Sequence, residues 1–107
     1  MNISVVVPLY NEDESIPELY AWIDRVMKEN EYTYEVIFVN DGSTDKSWDI
    51  IEKLHQESAN IKGIKFRRNY GKSPALFCGF KEAQGDVVIT MDADLQDDPK
   101  EIPHFIE

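Results

Sequence analysis

The stretch GDVVITMDADLQDDP, residues 85–99, is the most informative about the fold, because an apolar run is followed at once by a cluster of aspartates. A continuous β-branched run is typical of a strand covered on both faces of a parallel sheet. Like charges this close repel each other, and a carboxylate beside apolar surroundings loses hydration. A cation, a helix N-terminus or water must therefore offset the cost at this strand end.

Three further apolar runs alternate with helical patterns along the chain. The runs predict strands at residues 3–7, 36–39, 64–66 and 87–91. Apolar residues at helical spacing predict helices at residues 15–29, 44–58 and 73–84, with a fourth beginning near residue 98. This alternation predicts an α/β fold, a Rossmann-like parallel sheet with helices on both faces.

Local signals give three finer predictions. Ser15 and Glu18 have the spacing of a capping box for the first helix. Ser43, Thr44 or Asp45 can cap the second helix, and the turn before it begins at Gly42. Cys78 lies in the middle of the third helix, where we expect a small buried apolar side chain.

Composition excludes several classes of protein. The chain has 107 residues, 42% hydrophobic and 30% charged, which is typical of one globular domain or part of one. Its net charge of −10 argues against a nucleic-acid binder, which needs a basic face. A single cysteine excludes an internal disulfide and fits the cytoplasm, and we see neither a signal peptide nor a membrane span.

Basic residues concentrate in one segment. Residues 62–72 carry five of the eleven Lys and Arg side chains and no acid. Lysines can protect the exposed edge of a sheet, and a basic cluster can equally bind phosphate. Arg67, Arg68 and Lys72 follow a predicted strand, which favours a phosphate role.

Polar clusters follow all four predicted strands: PLYNEDE, NDGSTD, RRNYGK and DADLQDDP. In open α/β sheets, ligands bind outside the carboxyl ends of the strands, at a switch in strand order. We therefore expect the four clusters to meet at one rim. Tyr10 can stack on a planar base, Glu12 can bind ribose, and Asp41 can accept from a base N–H or a ribose hydroxyl.

Asp92 and Asp94 have the spacing to share one divalent cation, and Gln96 can add a neutral oxygen. Oxygen ligands alone favour Mg²⁺ or Mn²⁺ over Zn²⁺. An EF-hand loop is a poor fit, because Asp97 stands where that loop needs glycine. Asp97 and Asp98 are explained as acids at the start of the next helix. A dinucleotide-binding fold is disfavoured because no G-x-G-x-x-G follows the first strand.

Four motifs in order, VVVPLYNEDESI, FVNDGSTDKS, RRNYGKSPAL and DADLQDDP, resemble the inverting family 2 glycosyltransferases of the GT-A fold. The similarity covers nearly the whole chain and is strongest to the transferases that act on dolichol or undecaprenyl phosphate. It implies that residues 1–107 are the nucleotide-sugar-binding, N-terminal part of such a domain. The acceptor half would be absent, so the fragment alone would be inactive.

The resemblance also implies roles for individual residues. Those that would hold the nucleotide sugar are Pro8, Tyr10, Glu12, Val39, Asp41, Arg68, Lys72, Asp92 and Ala93. Asp92 and Asp94 would be the catalytic D-x-D pair, with Gln96 completing the metal shell. The donor would be a UDP- or GDP-sugar, and the cofactor Mg²⁺ or Mn²⁺.

Several alternatives remain open. The acceptor would be a lipid phosphate at the cytoplasmic face of a membrane, or instead a cell-wall or polysaccharide chain. A module that only binds nucleotide is a further alternative. A receiver-type or phosphatase-like domain is disfavoured, because its key aspartate follows the first strand, where this chain has PLYNEDE. A homo-oligomer stays open, because an unfinished sheet edge invites pairing.

Overall fold

The computed structural model describes residues 2–93, in which strands and helices alternate in the predicted order. The elements are β1 (Asn2–Leu9), α1 (Ser15–Glu29), β2 (Thr33–Asn40), α2 (Ser47–Glu57), β3 (Ile61–Lys65), α3 (Lys72–Glu82) and β4 (Val87–Thr90). The predicted fourth helix lies outside the described residues, as do Asp94 and Gln96.

The strands form one sheet in the order β3-β2-β1-β4, and every pairing is parallel. Central strand β1 pairs with β2 on one side and β4 on the other, so that Val5 lies level with both Val36 and Ile89. Successive strands first add on one side of β1, and β4 then adds on the other. The switch in strand order therefore lies between β1 and β4.

Helices cover both faces of the sheet, which confirms the predicted layers. On one face α1 and α2 pack against a core that includes Val5, Val7 and Phe38. On the other face α3 packs against Val6, Ile37 and Val39. Because neighbouring strand residues point to opposite faces, continuous apolar runs such as that of β1 are buried on both sides.

Two predicted helix starts were wrong. Ser15 is the first residue of α1 rather than its cap, and no side chain caps that helix. The hydroxyl of Ser15 instead donates to the carboxylate of Glu12 at 3.2 Å. Helix α2 begins at Ser47 rather than at residue 44, because residues 43–45 are held by the loop that follows β1.

Strand β3 begins three residues earlier and ends one residue earlier than the predicted 64–66. Its alternate residues are exposed, so it lacks the continuous apolar run that marked the other strands. Cys78 is only half-buried, which corrects the prediction of a buried side chain. Its neighbour Gly79 is buried instead, and a Cβ there would lie 2.3 Å from Cγ1 of Val6. Helix α3 therefore approaches the sheet more closely than any larger residue would allow.

Within residues 2–93, none of the helices combines the length and the apolarity that crossing a membrane requires.

Candidate donor-binding site

Two small adjoining cavities lie at the carboxyl end of the sheet, with volumes of about 120 and 140 Å³. Both are bordered by Pro8, Leu9, Tyr10 and Asp92. The first cavity, of about 120 Å³, is also bordered by Glu12 and Ala93. The second cavity, of about 140 Å³, is also bordered by Asp41 and Lys72. Residues from the ends of β1, β2 and β4 and the start of α3 thus meet at one rim.

The largest cavity described, of about 580 Å³, lies elsewhere, between α2 and the outer strand β3. It is bordered by Trp48, Ile51 and His55 and contains none of the predicted site residues. Size alone would therefore select a different cleft from the one where the polar strand ends meet.

Pro8 explains why the two cavities open beside β1. The even-numbered residues of β1 point their backbone groups toward β4, as shown by the bond from the Met91 N–H to the Val6 carbonyl at 3.1 Å. Pro8 is the next even position and has no N–H to donate. The pairing of β1 with β4 ends at Val6 and Thr90, and the strands separate there.

The loops after β1 and β2 are joined by reciprocal hydrogen bonds. Asn11 has a positive φ of 55°, and its side-chain oxygen accepts the N–H of Thr44 at 2.8 Å. In return the hydroxyl of Ser43 accepts the N–H of Asn11 at 2.9 Å. Ser47 extends the link by accepting the N–H of Glu12 at 3.1 Å.

Asp13 and Asp45 continue this link with charged groups. Helix α2 is preceded by Lys46, which makes no side-chain capping bond, so none of Ser43, Thr44 and Asp45 is its N-cap residue. Asp45 accepts the N–H of Ser47 at 2.9 Å and the N–H of Asp13 at 3.2 Å. Desolvation would raise the pKa of Asp45, but these bonds outweigh it and lower the pKa. Asp13 accepts the N–H of Lys46 at 3.4 Å and so contacts the neighbouring loop.

Asp41 fixes the third loop, which leads from β3 into α3. Its carboxylate is 5% exposed, and its two oxygens accept the N–H groups of Tyr70 at 2.7 Å and Gly71 at 3.0 Å. The adjacent Gly42 has a φ of 75°, and a Cβ there would lie 2.2 Å from the carbonyl carbon of Arg68. Only glycine satisfies both the backbone angle and this close approach.

Lys72 and Asp92 form an ion pair across the second cavity. The ammonium nitrogen lies 2.8 Å from Oδ1 of Asp92, with side chains that are 62% and 42% exposed. Lys72 is the first residue of α3 and follows Gly71, whose N–H is held by Asp41. The basic segment and the acidic strand end therefore meet directly.

The predicted metal ligands are only partly within the described residues. Across residues 2–93 no three His, Cys, Asp or Glu side chains group closely enough to hold a metal ion. Asp92 is the one predicted ligand within residues 2–93, and it offers a half-exposed carboxylate at the edge of a cavity. A carboxylate oxygen is a donor of the kind that Mg²⁺ and Mn²⁺ accept, whereas the other two predicted ligands, Asp94 and Gln96, lie outside the described residues.

Two predicted residues, Val39 and Arg68, lie away from the cavities that Tyr10 borders. Val39 is fully buried between the sheet and α3, so only its backbone is left to contact a nucleoside. Arg68 is exposed, with its guanidinium 5.0 Å from the ring centre of Tyr70, and it borders neither cavity. Tyr10 is 44% exposed, as stacking on a ligand requires.

Sequence reasoning missed the residues that hold the loops in place. Asn40 is buried at the end of β2, its side-chain oxygen accepts the N–H of Ser43 at 3.0 Å, and its Nδ2 has no partner within residues 2–93. Asn11 carried one usable signal, since asparagine tolerates the left-handed conformation just after a strand. Nothing local indicated which loop either residue would bind.

Comparison with curated proteins gives close relatives. The chain is 45% identical over 106 residues to the undecaprenyl-phosphate 4-deoxy-4-formamido-L-arabinose transferase of Pseudomonas fluorescens, covering 98% of this chain and 31% of that protein. It is 45% identical over 107 residues to the bactoprenol glucosyl transferase of Shigella phage SfV, covering 100% of this chain and 35% of that protein. The chain thus spans about a third of the length of these relatives.

Solved structures share the fold. TarS from S. aureus in complex with UDP-GlcNAc aligns with a TM-score of 0.77 and 30% identity over 99% of this chain and 30% of that one. The mannosyltransferase PcManGT from Pyrobaculum calidifontis in complex with GDP-Man and Mn²⁺ aligns with a TM-score of 0.76 and 26% identity, over 86% and 27%. Both confirm the predicted GT-A architecture. The family description "Glycosyl transferase family 2" matches residues 4–107, so the chain belongs to that family of glycosyltransferases.

Proposed function

We propose that residues 1–107 are the donor-binding part of an inverting, metal-dependent glycosyltransferase that transfers a sugar from a nucleoside diphosphate to a polyprenyl phosphate. The observation that carries this proposal is the meeting of Tyr10, Asp41, Lys72 and Asp92 around one pair of cavities at the switch in strand order. Each contributes a different chemistry: an aromatic face, a buried acceptor, a cation and a metal-binding carboxylate.

The nucleoside would occupy the part of the site nearest β1 and β2. Tyr10 would stack on the base, and Glu12 would bind the ribose. Each oxygen of Asp41 accepts one backbone bond and keeps a second lone pair, which is available for a base N–H. Pro8 and Ala93 border the cavities as walls.

The diphosphate would lie between Lys72 and Asp92. The ammonium of Lys72 would donate to a phosphate oxygen, and Arg68 would add positive charge from the loop. A divalent cation held by Asp92 and Asp94, with Gln96, would neutralise the charge on the leaving nucleoside diphosphate. PcManGT, which is solved with GDP-Man and Mn²⁺, supports metal use at this site.

The names of the two curated relatives support a polyprenyl-phosphate acceptor. An oxygen of such a phosphate would attack the anomeric carbon from the face opposite the leaving group and invert its configuration. This oxygen is already an anion, so the reaction needs no base from the protein. An acceptor of this kind would place the full-length protein at the cytoplasmic face of a membrane.

Calorimetric titration with UDP and with GDP, each with Mn²⁺ and with chelator, tests the proposal. We expect one nucleotide to bind only with Mn²⁺, and the Asp92→Ala/Asp94→Ala variant to lose that binding. Glu57→Ala/Asp86→Ala is the matched control, because both of its acids are exposed and distant from the strand ends that form the site. A folded chain that binds neither nucleotide, together with a full-length chain that also binds neither, would contradict the proposal.

A further inference from the structure

We propose that Lys72 is a built-in counter-ion of the donor site, which neutralises Asp92 when no cation is bound and competes with the divalent cation for that carboxylate. This inference rests on the proposed function and adds a step to it. Entry of the cation would move the ammonium from Asp92 toward the diphosphate.

The ammonium of Lys72 and the carboxylate of Asp92 lie within hydrogen-bonding distance. The 2.8 Å between Nζ of Lys72 and Oδ1 of Asp92 is that of a charge-assisted hydrogen bond. A magnesium ion lies about 2.0–2.1 Å from its oxygen ligands. A cation bound to Oδ1 would therefore approach the ammonium closely, and the two positive charges would repel.

The side chain of Lys72 can move while its backbone stays fixed. Asp41 holds the N–H of Gly71, so that the start of α3 is anchored from the buried end of β2. The side chain itself is 62% exposed, on a flexible four-carbon stem. Exposed ion pairs contribute little to stability, so breaking the pair between Lys72 and Asp92 costs little free energy.

A displaced Lys72 ammonium would stay close to the proposed diphosphate. Lys72 and Asp92 border the same cavity of about 140 Å³, together with Asp41 and Tyr10. An ammonium that leaves Asp92 stays within this cavity, where the proposed diphosphate would meet it. Arg68 is not an equivalent choice, because its guanidinium lies over the ring of Tyr70.

Lys72→Met should raise the affinity for Mn²⁺ and lower the affinity for nucleoside diphosphate. Removal of the ammonium takes away the group that competes for Oδ1 of Asp92, so the variant binds Mn²⁺ in the absence of nucleotide about two- to fivefold more tightly, which is the range that exposed ion pairs are worth. The same change removes a donor to phosphate, so nucleoside diphosphate in saturating Mn²⁺ binds about tenfold or more weakly. A purely structural lysine gives no such reversal, and a general loss of positive charge gives it equally in the control variant Lys53→Met.

The test measures free Mn²⁺ by electron paramagnetic resonance, and then UDP and GDP by calorimetry in saturating Mn²⁺, on the 107-residue chain. Lys72→Arg keeps the charge and should bind Mn²⁺ nearly as the wild type does. Lys53→Met, an exposed lysine on α2, is the control for net charge. Lys72→Met/Asp92→Asn should lose the gain in Mn²⁺ affinity, because the shared carboxylate is gone.

Unchanged or weaker Mn²⁺ binding by Lys72→Met would overturn the inference, and so would a gain that persists in Lys72→Met/Asp92→Asn. Binding of Mn²⁺ only together with nucleotide, in both the wild type and Lys72→Met, would overturn it while leaving the proposed function standing. Failure of the folded wild type to bind either ligand would overturn the inference, and the same failure in a full-length chain would contradict the proposed function as well. Thermal unfolding of each variant establishes that it is folded, and Lys72→Gln replaces Lys72→Met if that variant is not.

Discussion

At the residue scale, Asp41 shows how one side chain combines a structural and a functional role. It is buried at the end of β2, and both of its oxygens accept backbone N–H groups from the loop that carries the basic residues. A role in binding a base, which the family resemblance implies, uses the remaining lone pairs of the same oxygens. The loop and the nucleoside would therefore share one carboxylate.

Asp41→Asn should destabilise both the loop and the proposed binding. An amide has one oxygen and one NH₂ group, so either Tyr70 or Gly71 would face a donor instead of an acceptor. We expect the free energy of unfolding to fall by about 1–3 kcal/mol, as for a buried group left unpaired. Urea unfolding measures this loss, and hydrogen exchange at Tyr70 and Gly71 should become faster. Asp86→Asn is the control, and unchanged exchange at the two amides would contradict the assignment.

At the scale of elements, Glu35 joins several parts of the sheet at the end opposite the site. Its carboxylate accepts the hydroxyl of Ser4 on β1 at 2.5 Å and the N–H of Gln84 after α3 at 2.7 Å. Lys62 on β3 completes the group with an ion pair of 2.8 Å. A single residue of β2 thus links both neighbouring strands and the turn into β4.

The stability of these links should depend on pH. Burial would raise the pKa of Glu35, but the bonds from Lys62, Ser4 and Gln84 outweigh it and hold the pKa below its ordinary value of 4.5. The folded protein therefore binds the proton less tightly than the unfolded chain does. The stabilisation is complete above the unfolded pKa and is lost as the pH falls through the folded pKa.

Urea unfolding of the wild type and Glu35→Gln across the acidic range tests this dependence. The wild type should lose more unfolding free energy than the variant as the pH falls below about 4.5, because only the wild type has this carboxylate to protonate. Glu57→Gln, at the exposed end of α2, should follow the wild type. Parallel curves for the wild type and Glu35→Gln would show that Glu35 contributes nothing to the pH dependence.

At the scale of the whole molecule, apolar side chains remain on one surface. Phe77 and Phe80 on α3 are 63% and 48% exposed, and Val88 on β4 is 43% exposed. Within residues 2–93, β4 pairs on one side only, so it forms an edge of the sheet there. Exposed apolar surface beside an open strand edge favours association.

We expect the 107-residue chain to self-associate through this surface. Sedimentation velocity over a range of protein concentrations should show a sedimentation coefficient that rises with concentration. Phe77→Ser/Phe80→Ser should suppress the rise, because it removes most of the exposed apolar area. Lys53→Ser, on the opposite layer of helices, should not change it. A chain that stays monomeric at all concentrations would contradict this prediction.

Sequence alone was enough to predict the order of the elements, the parallel sheet and the rim on which the polar clusters meet. These features depend on local patterns: β-branched runs, helical spacing and polar residues that follow each strand. The contacts of the site residues are visible only in the folded chain. Asn11 meets Thr44 from 33 residues away, Lys72 meets Asp92 from 20, and Asp41 meets Tyr70 from 29.

Strand β2 illustrates this difference between what local sequence predicts and what the folded chain shows. The apolar run predicted the strand correctly, but it did not show where the covering helix ends and the cavity begins. Val39 lies within β2, where α3 covers it, whereas Asp41, two residues on, lies just beyond the strand and borders the cavity. Periodicity along the chain is local and can be read from the sequence. Contacts between loops depend on the register and spacing of strands that are distant in sequence, which only the folded sheet sets.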